Sequence, residues 1–217
     1  MLNQLRKDID TVIKRDPAVR SRLEVFMCYP GLRAIAAHRR AHKHYQKGRF
    51  LHASLISKRA RRRTGIEIHP GACIGQGLFI DHGTGVVIGE TAVIGDNVTL
   101  YQGVTLGGTG KDTGKRHPNI GNGVTIGAGA KVLGPITIGD YSKVGAGSIV
   151  LKDVPSNCTV VGNPGRIVAK KSPPITHEAD LDQINLPDPM MEKINGILER
   201  LTALEASSQT EREENEA

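Results

Sequence analysis

The 217-residue sequence has little aromatic character, few cysteines and no long apolar run. Only 3% of its residues are aromatic and it has no tryptophan, which excludes a large aromatic core. Cys28, Cys73 and Cys158 are widely spaced and form no CxxC pair, so neither a disulfide framework nor a thiolate metal site is predicted. Arg6 and Lys7 interrupt the apolar residues of the N-terminus, which excludes a secretory signal. No apolar run could span a membrane. We therefore expect a cytoplasmic protein with reduced thiols and no membrane association.

The excess of positive charge suggests an anionic partner. A formal charge of +7 is compatible with nucleic acid, a membrane surface or a phosphorylated small molecule, and charge alone does not choose among them. The densest basic run, residues 58–63, has no interleaved aromatic residues and lies at a predicted helix end, where cations suit the helix dipole. We therefore expect no nucleic-acid binding.

A six-residue unit recurs over residues 68–154. Each unit begins with an aliphatic residue, which is usually followed by a glycine. Two variable residues, a small residue and one further residue complete the unit, as in IGQGLF at 74–79. An aliphatic residue at every sixth position fits neither an amphipathic helix nor an alternating strand. It is typical of a parallel β-helix, in which three units form one triangular coil and the aliphatic residues stack inside.

The repeat is broken at two places. Between Ile80 and Ile88 the register slips by two residues, and between Leu106 and Ile120 the repeat is lost. We predict that residues 107–118 form a loop ejected from the coil, where functional side chains often lie on a rigid scaffold.

Helical patterns flank the repeat, so the fold class is α+β. Residues 1–65 are predicted to be a helical domain, with a helix start at Asp16 and Pro17, another at Pro30, further helices at 32–45 and 50–63, and a C-cap at Gly65. Residues 66–170 form the β-helix, closed by residues 160–166. Residues 171–217 are predicted to be a Pro-rich linker, an amphipathic helix and a disordered acidic tail. That helix packs on its own protein, on a symmetry mate or on another partner.

Polar residues at the two breaks are the candidate site. Asp81 and His82 leave the coil at a corner, and histidine suits general base catalysis near neutral pH. Glu67 starts the first coil, fifteen residues before His82, and a carboxylate there could orient the imidazole. In the loop, Arg116 offers a guanidinium that could bind a carboxylate, and His117 offers a second imidazole. The alternative is a basic loop that is solvated and has no such role. His69 is predicted to be structural.

With these residues assembled, the sequence resembles the serine O-acetyltransferases over about residues 8–170. Short motifs carry the resemblance: RDPA at 15–18, IHP at 68–70, DHGTG at 81–85, GETA at 89–92, QGVTLGGTGK at 102–111, RHP at 116–118 and GNP at 162–164. The resemblance implies a left-handed β-helix and transfer of an acetyl group from acetyl-CoA to the hydroxyl of L-serine. That reaction is the first step of cysteine biosynthesis from serine.

The resemblance also implies roles for individual residues. His82 is the general base, and His117 helps to bind and orient serine. Asp16 and Asp81 hold the serine ammonium group, and Arg116 holds its carboxylate. Acetyl-CoA lies in a groove between neighbouring subunits, near residues Gly108, Thr109 and Ala128. Acetyl-CoA is a co-substrate, no metal or other cofactor is expected, and cysteine is expected to be a feedback inhibitor at the serine site.

Three features depart from the family pattern. The position that orients the base is often Asp and is Glu67 here. Many relatives have a longer helical domain that joins two trimers, whereas this chain begins late in that domain, so both a trimer and a dimer of trimers stay open. Relatives that dock into O-acetylserine sulfhydrylase end in Ile, and this sequence ends in ENEA, so that docking is doubtful.

Three other functions share this kind of solenoid. A hexapeptide acyltransferase could act on a sugar or antibiotic hydroxyl, but the set of Asp16, Asp81 and Arg116 fits an amino acid zwitterion. A γ-type carbonic anhydrase would hold a metal on three histidines, for which His69, His82 and His117 are candidates. A structural or ice-binding solenoid would show regular ladders of threonine, which this sequence lacks.

Overall fold

The N-terminal part of the chain is helical. The computed structural model describes residues 2–110, 113–170 and 189–216, which contain five α-helices. These are α1 (Leu2–Arg15), α2 (Arg22–Cys28), α3 (Pro30–Gln46), α4 (Phe50–Thr64) and α5 (Pro189–Glu216). The predicted helices at 32–45 and 50–63 are confirmed to within two residues at each end as α3 and α4.

The helix ends follow local chemistry, with one exception to the prediction. Pro30 is at the start of α3, and Gly65 ends α4 in the left-handed conformation with φ 70°, both as predicted. The predicted helix start at Asp16 is wrong, because the Asp16 carboxylate accepts a hydrogen bond from the Ala18 N–H in a turn instead. Helix α2 begins after Ser21, whose hydroxyl accepts from the Glu24 N–H.

Short strands follow from Glu67 onward. They are β1 (Glu67–Ile68), β2 (Cys73–Ile74), β3 (Phe79–Ile80), β4 (Val87–Ile88), β5 (Val93–Ile94), β6 (Thr99–Leu100), β7 (Thr105–Gly107), β8 (Asn119–Ile120), β9 (Thr125–Ile126), β10 (Lys131–Leu133), β11 (Thr137–Ile138), β12 (Lys143–Val144), β13 (Ile149–Val150), β14 (Cys158–Val161) and β15 (Arg166–Lys170). Strands β1 to β13 belong to three sheets in rotation. Sheet A has the order β1-β4-β7-β10-β13, sheet B β11-β8-β5-β2, and sheet C β15-β14-β12-β9-β6-β3. The predicted parallel β-helix is therefore confirmed.

The strand register confirms both predicted breaks in the repeat. In sheet A, Glu67 pairs with Val87, Val87 with Thr105, Thr105 with Lys131, and Lys131 with Ile149. These pairs are 20, 18, 26 and 18 residues apart. A regular coil has 18 residues, so two extra residues lie between β3 and β4 and eight between β7 and β8. The two insertions carry Asp81, His82 and the predicted loop.

Stacked aliphatic side chains form the core of the coils. Ile88, Leu106 and Val132 are fully buried one above another in sheet A. Burying each such side chain contributes roughly 1.5–3 kcal/mol. Strands β14 and β15 pair in antiparallel fashion beyond the last coil, where residues 160–166 were predicted to cap it. Such a hairpin ends the run of parallel strands in sheet C.

The helices pack directly on the first coils. The described residues up to 170 belong to one compact unit. The Ser57 hydroxyl on α4 donates to the Ile68 carbonyl at 2.7 Å, and His42 Nδ1 on α3 lies 2.7 Å from the Pro70 carbonyl oxygen. A side chain at Gly31 would collide with the Ile80 backbone, so only glycine lets α3 approach β3 this closely. This packing brings residues of the helices to the corners of the coils.

Helix α5 belongs to a second compact unit, residues 186–217. The helix continues to Glu216 and so includes most of the stretch for which composition predicts a disordered tail. Glutamate, glutamine and arginine in this stretch have high helix propensity, which offsets its polarity. The predicted linker lies mostly outside the described residues. No described helix has the length and apolar character needed to cross a bilayer.

Candidate active site

The predicted site residues lie at two different corners of the coils. The first, which we call the base corner, joins sheet C to sheet A and includes residues 81–85, 101–103 and 127–129. The second, the loop corner, joins sheet A to sheet B and includes residues 69–71, 89–91, 108–110 and 113–118. One coil face separates the corners within a chain, and its six residues span up to roughly 20 Å.

Asp81 and His82 project from the base corner. His82 is exposed and has φ 54°, a left-handed conformation that is uncommon for residues other than glycine. Such backbone strain costs about 1–3 kcal/mol and occurs often at functional sites. A side chain at the next residue, Gly83, would overlap Ile66, so the chain must turn through glycine there. The turn aims the imidazole of His82 away from the coil.

The helices place a second carboxylate beside Asp81. The Tyr29 hydroxyl at the start of α3 donates to Oδ2 of Asp16. Burial, that hydrogen bond and the nearby charge of Asp81 all raise the pKa of Tyr29. Burial and Asp81 also raise the pKa of Tyr101. Asp16 and Asp81 therefore both lie near Tyr29, an anionic arrangement that suits a bound ammonium group.

At the loop corner, the Arg116 guanidinium is held by a carboxylate. Arg116 Nη2 donates to Oε2 of Glu90, and the Tyr45 hydroxyl donates to Glu90 Oε1 at 3.0 Å. The hydrogen bond from Arg116, followed by that from Tyr45, lowers the pKa of Glu90. Glu90 thus stays ionised and orients the guanidinium, which is the group best suited to bind a carboxylate.

His117 lies buried beside Arg116 in a defined tautomer. Its Nδ1 accepts a hydrogen bond from the Thr91 N–H at 3.2 Å, so Nε2 carries the proton of the neutral ring. The Thr91 hydroxyl oxygen accepts from the N–H groups of both Arg116 and His117 at 3.1 Å. Burial and then the charge of Arg116 lower the pKa of His117. The ring is therefore neutral at pH 7 and offers Nε2–H as a donor.

The structure does not join Glu67 to His82, but it gives His69 a structural role. Among the described residues no hydrogen bond or ion pair joins Glu67 to His82; instead Glu67 Oε2 lies 3.0 Å from Arg61 Nη1. His69, predicted to be structural, accepts from the Gly71 N–H through Nδ1 at 3.0 Å, and its ring packs edge-on against Tyr45. His69 therefore supports the residue that holds Glu90.

The residues predicted to contact acetyl-CoA are also divided between the corners. Gly108 and Thr109 are exposed at the loop corner, and a side chain at Gly108 would crowd Arg116 and His117 Nε2. Ala128 lies at the base corner, where its carbonyl accepts from the Gly147 N–H. Within one chain these residues do not converge, just as the two predicted histidines do not.

Sequence reasoning missed four residues that organise the site. Glu90 and Thr91 lie in the GETA motif, so the pattern was visible but suggested no role. Tyr29 and Tyr45 carried no sequence signal. No three His, Cys, Asp or Glu side chains come together as metal ligands within residues 2–110, 113–170 and 189–216.

The coils of hexapeptide repeats, together with a match to a family model, place the chain in a class of transferases. Residues 117–152 match the bacterial transferase hexapeptide family (six repeats). The chain is 53% identical to a serine acetyltransferase of Bacillus subtilis (strain 168), over 96% of this chain and 95% of that protein. It is 55% identical to one of Staphylococcus epidermidis (strain ATCC 12228 / FDA PCI 1200), over 93% of each. The chain belongs to the serine acetyltransferase family.

Solved structures agree with this assignment. The Neisseria gonorrhoeae serine acetyltransferase superposes with a TM-score of 0.77 at 44% identity, over 84% of this chain and 69% of that one. The Brucella abortus strain S19 enzyme in complex with coenzyme A has a TM-score of 0.76 at 50% identity, over 79% and 68%. The coils are thus those of a left-handed parallel β-helix, as predicted.

Proposed function

We propose that this chain is an acyltransferase that moves the acetyl group of acetyl-CoA to the hydroxyl of L-serine, giving O-acetylserine and CoA. The observation that carries the proposal is 53–55% identity to relatives named serine acetyltransferase, over at least 93% of this chain. Solved relatives include one complexed with serine and one in complex with coenzyme A. In metabolism, this reaction is the first step of cysteine biosynthesis from serine.

The polar groups of the two corners fit the serine zwitterion. Asp16 and Asp81 bind the ammonium group, since they lie together around Tyr29. Arg116 binds the carboxylate, with Glu90 holding the guanidinium in place. A sugar offers neither an ammonium group for Asp16 and Asp81 nor a carboxylate for Arg116, so it would not use these charges.

The site is assembled between copies of the chain. The base corner supplies His82, Asp81 and Ala128, whereas the loop corner supplies Arg116, His117, Gly108 and Thr109. A coil face lies between the corners of one chain, so one copy's base corner must meet another copy's loop corner. We therefore propose a cyclic homo-oligomer with acetyl-CoA in the groove between copies.

The chemistry needs one base and no covalent enzyme intermediate. His82 removes the proton of the serine hydroxyl as its oxygen bonds to the thioester carbon. The tetrahedral oxyanion then collapses, the C–S bond breaks, and the CoA thiolate takes the proton from the His82 imidazolium. His117 donates through Nε2–H and so orients serine without competing for its proton. Glu67 stabilises the imidazolium by charge, after exchanging its partner Arg61 for His82.

We also propose an inhibitor and a cellular compartment for this enzyme. Cysteine shares the ammonium and carboxylate groups of serine, and a relative's structure is a complex with cysteine. We expect cysteine to compete with serine in steady-state kinetics. We place the enzyme in the cytoplasm, since Cys28 and Cys73 are exposed free thiols, as is usual in a reducing compartment.

The test is release of CoA thiol from acetyl-CoA with L-serine, run beside a panel of sugars and the His82→Ala variant. We expect serine-dependent release that falls by roughly 100- to 10,000-fold in the variant. Turnover of a sugar without serine turnover would overturn the substrate. Full activity of the variant would overturn the assignment of the base.

The shared site has its own test. His82→Ala and Arg116→Ala proteins should each be nearly inactive, but hybrids assembled from an equal mixture should regain activity in about one quarter of the sites, for random mixing in a cyclic oligomer. If each site lay within one chain, the mixture would remain as inactive as its components.

A further inference from the structure

Helix α5 carries a heptad pattern that the acetyltransferase site does not use. Its apolar residues are spaced alternately by four and three positions, which is the a and d pattern of a coiled coil with a mean period of 3.5. In this register Ile194 and Leu201 are at a, and Ile197 is at d. Met190 and Leu204 extend the d positions at either end.

The apolar stripe is exposed on α5. Ile194, Ile197 and Leu201 are 41%, 63% and 51% exposed. Leu198, at position e, is 53% exposed and widens the stripe beyond a and d. A wide stripe, isoleucine at both a and d, and leucine at a all favour bundles of more than two helices.

The charges beside the stripe select the orientation of the helices. Lys193 and Arg200 are at g, and Glu205 is at e. In a parallel bundle, the g residue of one helix faces the e residue five positions later on its neighbour, so Arg200 faces Glu205. In an antiparallel pair the g residues would face each other and oppose like charges. The arrangement therefore favours parallel neighbours of the same sequence.

We propose that α5 forms a parallel coiled coil with the α5 helices of other copies of this chain. The pattern covers only about two heptads, which would be marginal for an isolated helix. Copies joined through their coils raise the local concentration of α5, and such tethering strengthens weak association. The proposal rests on the pattern and charges of α5 and on the homo-oligomer proposed above, whereas acetyltransferase activity does not enter it.

Cysteine cross-linking in the full chain tests the proposal. The exposed thiols are first removed by Cys28→Ser and Cys73→Ser. Ile197→Cys then places a thiol at d, and Thr202→Cys places the matched control at b. Symmetric d positions meet only in a parallel bundle, so mild oxidation should give covalent dimers at least tenfold faster for Ile197→Cys. Equal rates for the two variants would overturn the proposal.

A second measurement does not depend on thiols. Ile197→Asp should accelerate hydrogen exchange of the α5 amides by tenfold or more, whereas Thr202→Asp should leave it near the unsubstituted rate. If the helix is held by a different partner or by nothing, neither cross-linking nor exchange will distinguish d from b in the purified protein. That result would also overturn the proposal, while CoA release with serine would still report on the enzyme.

Discussion

At the scale of single residues, the side chains of the loop corner orient one another in a chain of contacts. Arg116 is oriented by Glu90, and Glu90 by Tyr45 on α3. Tyr45 in turn packs against His69 and Phe50. The side chains of Arg116 and Glu90 are 26% and 31% exposed. Their ion pair should therefore be stronger than a typical pair on the protein surface. The residue proposed to bind serine thus depends on a hydroxyl from the helices.

Removing that hydroxyl should weaken serine binding selectively. Tyr45→Phe keeps the ring but deletes the hydrogen bond to Glu90, a loss of about 0.5–1.5 kcal/mol. We expect the KM for serine to rise about three- to tenfold with the KM for acetyl-CoA unchanged, measured by initial rates. Tyr141→Phe, on a coil outside both corners, is the control. Equal changes in the two KM values would mean that the hydroxyl acts on the fold and not on Arg116.

At the scale of elements, the end of α1 is fastened to the coils by one side chain. The Arg15 guanidinium donates to the Asn97 and Val98 carbonyls at 3.0 and 3.1 Å and to the Thr99 hydroxyl at 2.8 Å. Asp16 follows directly, so the same contacts set the position of the carboxylate that lies near Tyr29 and Asp81. Asp8 also pairs with Arg39 and joins α1 to α3.

Arg15→Met should therefore loosen α1 and the proposed ammonium site together. Hydrogen bonds made by a charged group contribute about 1.5–3 kcal/mol. We expect hydrogen exchange of the α1 amides to accelerate by about ten- to hundredfold, and the KM for serine to rise. The exposed Arg6 on the same helix provides the control Arg6→Met. Unchanged exchange in Arg15→Met would show that other contacts hold the helix.

At the scale of the whole molecule, helices and coils fold as one unit, and a buried histidine lies where they meet. His38 on α3 is 4% exposed and lies near the Ala72 backbone of the first coil. Burial, followed by the charges of His42 and Arg39, lowers the pKa of His38 from 6.5 to about 4. The folded protein thus keeps this imidazole neutral under conditions in which the unfolded chain protonates it.

The sign of the resulting pH dependence is definite. Above about pH 6.5 the ring is neutral in both states, and stability is unaffected. As the pH falls from 6.5 towards 4, only the unfolded state takes up the proton, so stability decreases by up to roughly 3 kcal/mol. His38→Gln should flatten this part of the curve, measured as urea midpoints between pH 7.5 and 4.5. The exposed His52 provides the control His52→Gln, which should keep the unsubstituted slope; equal slopes in all three proteins would contradict the assignment.

Much of the fold could be predicted because a solenoid repeats one local rule. Each aliphatic residue packs against its equivalent one coil away, so the six-residue period specifies the coil, its core and its sheets without further information. The same period marks the two-residue slip at Asp81 and His82 and the loop with Arg116 and His117, since an insertion is visible against a regular background. The family motifs then indicate the chemistry.

The tertiary structure decided the contacts that the six-residue repeat does not encode. Tyr29 and Tyr45 reach the site because α3 packs on the first coils, where Gly31 meets Ile80, and no spacing in the sequence encodes that contact. The tertiary structure likewise placed Glu67 beside Arg61 and turned Asp16 away from a helix cap towards Tyr29. It also put the predicted site residues at two corners of the coils. The sequence by itself determined the coil and the chemical groups, because both follow from near neighbours along the chain. Which groups meet depended on contacts between distant segments, whose geometry only the folded chain defines.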